Sequence, residues 1–168
     1  RGFAFIAKKD FVNAVKELDT LSILAKDSSL KEITIWYINS VHSIVQIAEN
    51  VLRAELYATE KKYEKSISLL NEAVVLEDAL NYNEPPDWFF SIRHHLGAVL
   101  IEAGNPEEAI QVYKKDLSWW PKNGWALHGL KLAYEQTKDA KALKQVNEQI
   151  KNVWANADTK LVGSRIKY

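Results

Sequence analysis

Apolar positions recur at three- and four-residue steps through most of the chain, the spacing of one buried face on a helix. Phe11, Val15, Leu18 and Leu21 form the first such stripe, with Ala14 as the small residue facing a preceding helix. Residues 1–26 therefore read as a short truncated helix, a turn at Lys8–Asp10 and a second helix. Asp27-Ser28-Ser29 breaks the pattern, and Ser29 with Glu32 three residues on fits a capping box. A long periodic run then extends from Leu30 to about Thr59 through Ile33, Trp36, Tyr37, Val41, Ile44, Val45, Ala48, Val51, Leu52 and Leu56. It holds no Gly and no Pro, so it predicts one long helix or two nearly collinear ones. Lys61-Lys62 makes the next turn, and Tyr63–Leu80 is the partner helix.

Asn81–Pro86 is a firm break, because two consecutive prolines cannot sit inside a helix and Glu84 before Pro85 is pushed extended. Asp87 is placed to cap a helix over Trp88–Glu102, and Gly104 to take a left-handed turn after it. Asn105-Pro106-Glu107-Glu108 is a helix start with a cap, a first-turn proline and acidic residues where the helix dipole favours them. Ala109, Ile110, Tyr113 and Leu117 mark that helix to about Ser118, and Pro121 stops it. Lys122-Asn123-Gly124 leads into a helix over Trp125–Gln136. Asp139 opens another to about Ala157, with Leu143, Val146, Ile150, Val153 and Trp154 as its stripe. Asp158–Tyr168 carries Leu161, Val162 and Ile166, and packs over the last helix pair or frays.

The small–bulky alternation around Gly97 and Ala109 lets two helices cross closely, and the unit repeats. Ala109 and Leu143 hold matching places 34 residues apart; Ser66 and Ala109 are separated by 43, and Ala14 and Ser66 by 52. Two stretched spacings and one of the tetratricopeptide period, roughly 34 residues, predict a short, irregular helical repeat array. The expected fold is all-α, a right-handed superhelix of antiparallel helix pairs with three to four repeats. Its parts are a truncated pair at 1–26, a pair with a lengthened helix at 30–80, the best-formed repeat at 87–118, a last repeat at 124–157 and a tail at 158–168. A four-helix bundle without repeats is the competing architecture.

Leu96-Gly97, Leu100, Ala109, Tyr113 and Pro121 resemble the tetratricopeptide repeat superfamily, and Ala54, Tyr57, Tyr63, Ser66, Leu70 and Ala73 make a second copy. Glu84–Trp88, Arg93–Gly97, Val112–Leu117 and Pro121–Leu127 are similar to phrases in the C-terminal part of a group of bacterial proteins of that superfamily. The resemblance spans residues 50–165. It implies a helical repeat fold and no established reaction. Asp116, Lys131 and Lys138 depart from it, standing where the repeat often has small residues.

Composition narrows the class further. Lys plus Arg and Asp plus Glu are 22 each, so no general basic footprint for nucleic acid exists. No apolar run reaches the length of a membrane span. The chain has no Cys, which excludes disulfides and thiolate chemistry and fits cytoplasm or periplasm equally. It also has no Met, so it reads as part of a longer or processed protein. No nucleophile turn, Gly-rich phosphate loop or His-Glu-x-x-His occurs, and the chain reads as a non-enzyme needing no cofactor.

In such an array the first helix of each pair lines the concave face. Val51, Glu55, Ala58 and Thr59 should face it, then Ser91, His94, Ala98, Ile101 and Glu102, then Trp125, His128, Leu132, Glu135 and Gln136. That mixed surface suits a protein or peptide partner anchored by an aromatic or aliphatic side chain. The alternative is a groove filled by the chain's own tail or by an upstream segment. Chaperone-binding members of the resembled superfamily grip a carboxylate with Lys, Arg and Asn; the matching Val51, His94, Ala98 and His128 argue against that clamp. A rival of another class is a metal or small-ligand site using His94 and His128 with Glu84, Asp87 or Glu102. A passive spacer is the third reading. The Glu84-Pro85-Pro86-Asp87-Trp88 loop reads as structural, with Glu84 and Asp87 within reach of Arg93 and Lys122. Trp88, Trp119, Trp120 and Trp125 read as packing, and exposure of Trp119 or Trp120 would make either an anchor. The expected function is a peptide- or protein-binding, scaffolding module of a larger bacterial protein.

Overall fold

A computed structural model of the chain describes residues 1–165. Ile166 and Tyr168, part of the expected tail, lie outside the described residues. Eight α-helices occur among the described residues: α1 Gly2–Ala7, α2 Phe11–Ala25, α3 Val41–Thr59, α4 Tyr63–Asp78, α5 Ile92–Ala103, α6 Pro106–Trp119, α7 Gly124–Thr137 and α8 Ala140–Val153. The chain divides into two compact units, Arg1–Ile92 and the part from Arg93 onward.

The helices form four hairpins, α1/α2, α3/α4, α5/α6 and α7/α8, and one turn closes all four. Lys9 (φ 57°), Lys61 (φ 58°), Gly104 (φ 84°) and Lys138 (φ 58°) each hold the left-handed conformation one or two residues past the first helix. The next amide in each turn then reaches back to the carbonyl five residues earlier: Asp10 to Phe5, Lys62 to Tyr57 and Asn105 to Leu100 at 2.9 Å, and Asp139 to Tyr134 at 3.2 Å. That bond supplies a donor to a carbonyl at the end of the first helix, where the intrahelical donors run out. The left-handed residues fall 52, 43 and 34 positions apart, the same spacings seen in the apolar register. The fold is therefore all-α and built from repeated antiparallel helix pairs.

In the first unit, Ala14 and Leu18 of α2 bury against Leu52 and Leu56 of α3, with Phe3, Phe5, Ile6 and Leu21 packed around them. Gly2 sits so close to Leu52 that a Cβ there would lie 2.5 Å from its Cδ2. Ser66, fully buried on α4, donates to the carbonyl of Ala54 on α3 at 2.8 Å. Small residues at these crossings bring the backbones together, as the alternation predicts. Asp10 caps α2 by accepting from the Asn13 amide, and Ser40 caps α3 by accepting from the Ser43 amide.

Three local expectations are corrected. Residues 30–40 are not helical. Ser28–Lys31 is a 3₁₀ turn, and Thr34–Ile35 pairs antiparallel with Asn39–Ser40. The β-branched and aromatic run Ile33–Ile38 prefers a pleated backbone, and that preference defeats its helical spacing. Trp36 (φ 51°) and Tyr37 (φ 62°) form the left-handed tip of this hairpin. The Ser29 capping box does not form either, because Asp27 is the cap and accepts from both the amide and the hydroxyl of Ser29. Finally, α5 starts at Ile92 rather than Trp88. The Asp87 carboxylate accepts from Asn39 at 2.7 Å and from Asn83 at 2.9 Å, so it caps nothing. The Glu77 carboxylate of α4 receives the Ile92 amide instead.

Candidate binding face of the second unit

The second unit is organised around Tyr113 on α6, whose side chain is fully buried. Its ring end passes between Gly97 on α5 and Gly129 on α7. A Cβ at either glycine would stand 2.3 Å from Tyr113 Cζ. Two glycines therefore make a window through which the phenol reaches the far side of the α5/α7 pair. Burial pushes the Tyr113 phenol well above its ordinary range, so it stays neutral. A buried hydroxyl needs a partner, and Ser164, 2.6 Å away, supplies it.

Ser164 belongs to the segment that follows α8. Trp154 ends that helix, packs on Gly124 of α7, and donates its indole N–H to the Thr159 carbonyl at 2.7 Å. The chain thereby turns back, and Gly163, Ser164 and Arg165 become buried. The Ser164 hydroxyl also donates to the His94 carbonyl at 2.8 Å. With the Ser164 hydrogen used on that carbonyl, the Tyr113 O–H is the donor to Ser164. Arg165 Nη2 pairs with Glu102 Oε2 at 2.7 Å, with their side chains 9% and 24% exposed. Leu132 Cδ1 lies 3.8 Å from where a Gly163 Cβ would be.

One turn further along α6, Asp116 is fully buried. Its Oδ2 accepts from Asn123 Nδ2 at 3.1 Å and faces His94 Nε2 at 3.3 Å. Asn123 caps α7, its Oδ1 accepting from the Trp125 and Ala126 amides. That cap fixes the orientation of the amide, so Nδ2 must be the donor in its 2.8 Å contact with His94 Nε2. The imidazole hydrogen is accordingly assigned to Nδ1. Asn123 thus donates to both Asp116, a departure from the repeat pattern on α6, and His94 on α5, and ties both helices to the α7 start.

The expected groove residues separate into groups. Val51, His94 and Ala98 are buried, 0%, 3% and 7% exposed, and do not line an open surface; this corrects their expected role. Val51 sits on the packed face of α3, and the His94 ring faces Asp116 instead of outward. Glu55, Ser91, Ile101, Glu102, Trp125, His128 and Leu132 are half-buried, and Glu135 is exposed. Of these, Glu102 and Leu132 meet the segment after α8. The His128 ring bonds within α7, Nδ1 to the Gly124 carbonyl at 2.8 Å, and stands edge-on to Trp154. Among the described residues no group of three His, Cys, Asp or Glu could hold a metal, and the two histidines engage different partners. In the first unit, Glu84 accepts from the Tyr82 hydroxyl and the Glu84–Pro85 peptide bond is cis.

Trp119 and Trp120 are half exposed, 47% and 49%, and with Pro121, Lys122 and Asn123 they line a surface cleft of about 500 Å³. The Arg93 guanidinium and the Lys115 ammonium lie 4.5 and 4.6 Å from the Trp119 ring centroid, attracted to its π-face. Sequence reasoning missed the Tyr113–Ser164 contact across 51 residues. The pair Gly97 and Gly129 was its one local trace.

These features define a protein of stacked helical hairpins with a polar contact point opened through one packed layer. No family model matches the chain, and no curated protein matches it. Solved structures do. A Podosopora anserina kinesin light chain protein with nearly identical TPR-like repeats is 16% identical over 95% of this chain and 74% of its own, with a TM-score of 0.65. A point variant of it covers 92% of this chain and 71% of its own, again at 16% identity and a TM-score of 0.65. MamA protein is 18% identical over 96% of this chain and 93% of its own, with a TM-score of 0.55. The fold is thus of the tetratricopeptide-like α-solenoid class, a helical-repeat architecture. Among the described residues no helix is long and apolar enough to cross a membrane.

Proposed function

We propose that the chain is a protein-interaction module that binds a short non-helical segment of a partner on the α5/α7 face of its second unit. It acts by binding, as a scaffold, and not by catalysis. The helical-repeat fold supports this reading in general terms. The observation that carries it is the seat of Gly163–Arg165, since a face that already buries three residues of irregular chain has the width and polar partners for such a guest. Leu132 and Ile101 supply apolar surface, Glu102 supplies charge, and Tyr113 and the His94 carbonyl supply hydrogen-bonding atoms.

The test is selection of peptides from a random ten-residue library on the full chain, wild type against Leu132→Glu. Enrichment of peptides that Leu132→Glu no longer retains, with its thermal unfolding still cooperative, is the expected result. A library that yields no binder, or binders indifferent to Leu132→Glu, refutes the proposal.

A further inference from the structure

The contacts of Ser164 and Arg165 describe a ligand chemistry. We infer that the α5/α7 face recognises a hydroxyl residue followed directly by arginine, and that the chain's own Ser164-Arg165 occupies the site as an internal competitor. The inference rests on the binding face proposed above and specifies what that face selects.

Three observations support it. First, the hydroxyl site is built from fixed groups. Tyr113 cannot retreat, because Gly97 and Gly129 hold its ring on both sides, and the His94 carbonyl belongs to α5. Together they require an atom that accepts from the phenol and donates to the carbonyl. A serine-type hydroxyl does both, whereas a methyl would leave a buried phenol unsatisfied. Second, the neighbouring charge is complementary: Glu102, three-quarters withdrawn from water, pairs with a guanidinium that is 8% exposed as a residue. A lysine or neutral residue would give up the planar donor geometry. Third, the position before the serine is not restricted to glycine. A Cβ on Gly163 would meet nothing closer than 3.8 Å, so alanine or serine fits there. The recognised pattern is a small residue, then a hydroxyl residue, then arginine.

All these contacts are side-chain chemistry that a separate chain could reproduce. The internal copy has the advantage of tethering. Only about ten residues separate Ser164 from the end of α8, and short flexible links give effective concentrations in the millimolar range. An external segment therefore binds with an apparent affinity reduced by the fraction of molecules whose site is open. Arginine at 165 makes that fraction small; glutamate at 165 would place like charges together against Glu102 and raise it.

The experiment uses the full chain and a fluorescein-labelled peptide of residues 158–168. Anisotropy titrations compare wild type with Arg165→Glu, while hydrogen exchange reads amide protection at 163–165. The inference expects lost protection in Arg165→Glu and at least a tenfold tighter peptide affinity than wild type. A peptide with glutamate in place of its arginine should fail to bind Arg165→Glu and should bind Glu102→Arg. Equal affinity for wild type and Arg165→Glu, or no binding to an unprotected Arg165→Glu, overturns the inference. If protection persists in both Arg165→Glu and Ser164→Pro, the segment is a permanent part of the fold and the inference also falls. Library peptides that depend on Leu132 but lack the hydroxyl–arginine pair would overturn it while leaving the binding face intact.

Discussion

Gly97→Ala gives the sharpest test of how the second unit is packed. In a solvated helix this change stabilises by about 1 kcal/mol, because glycine has more backbone freedom to lose. Here the new methyl would lie 2.3 Å from Tyr113 Cζ, 2.6 Å from Cε1 and 2.7 Å from the hydroxyl oxygen. Carbon atoms in contact prefer about 3.5–4.0 Å, so more than an ångström must be found. The ring cannot supply it, since a Cβ on Gly129 would collide with the same atoms at 2.3 Å, and the hydroxyl is held by Ser164. Overpacking of this kind costs about 1–3 kcal/mol, and a side chain blocked on both faces belongs at the upper end. The net expectation is a loss of about 2 kcal/mol, or about 4–8 °C in Tm for a chain of this length. Circular dichroism at 222 nm with heat and urea measures it. The control is the same substitution in a Tyr113→Leu background, where the obstruction is gone. There Gly97→Ala should be neutral or stabilising, giving a coupling of about 2 kcal/mol or more. If Gly97→Ala raises Tm in the wild-type background, or the two changes simply add, the glycine window is refuted.

Other consequences follow from single contacts. Lys61→Gly and Lys138→Gly should each raise stability by about 0.5–1 kcal/mol, since φ near 58° strains a residue with a Cβ and not glycine; no gain in urea midpoint would deny the shared turn. Tyr113→Phe should cost about 1 kcal/mol and speed amide exchange at Ser164, whereas unchanged exchange would mean that the hydroxyl contact does not hold the segment. Partial burial raises the Glu49 carboxyl, but hydrogen bonds from Arg53 and Ser22 outweigh it, and the group titrates below its ordinary range. Its contribution is then present above the unfolded value, about 4.3, and is lost as pH falls through the lower folded value. Because Arg53 and Glu49 are partly exposed, the amount is about 0.5 kcal/mol. Glu49→Gln should flatten the decline in Tm between about pH 5 and 3, and parallel wild-type and variant curves would count against the pairing.

Much of the architecture was legible because it rests on local chemistry. Gly104 and the lysines at 9, 61 and 138 sit at turns flanked by caps or breaks, and the Asn105-Pro106 start is specified within four residues. Spacing among Ala14, Ser66, Ala109 and Leu143 gave the repeat register. Errors arose where two local preferences competed. Ile33–Ile38 satisfies a helical spacing and a strand composition at once, and pairing with Asn39–Ser40 settles it. Asp87 is as good a cap as Asp10 by sequence, yet Asn39, 48 residues away, takes its carboxylate.

The linear order of residues was enough to determine that helices form, where most of them turn, and that small residues bring them close, because each depends on neighbours within about one turn of backbone. Which faces stay open depended on distant parts of the chain meeting. His94 has an outward place by periodicity but is buried with its ring bonded to Asn123, and the face beside it is filled by Ser164 and Arg165. Only three-dimensional packing could decide that, since a hydroxyl at 164 finds its phenol at 113 through a gap between two glycines that are themselves far apart in sequence.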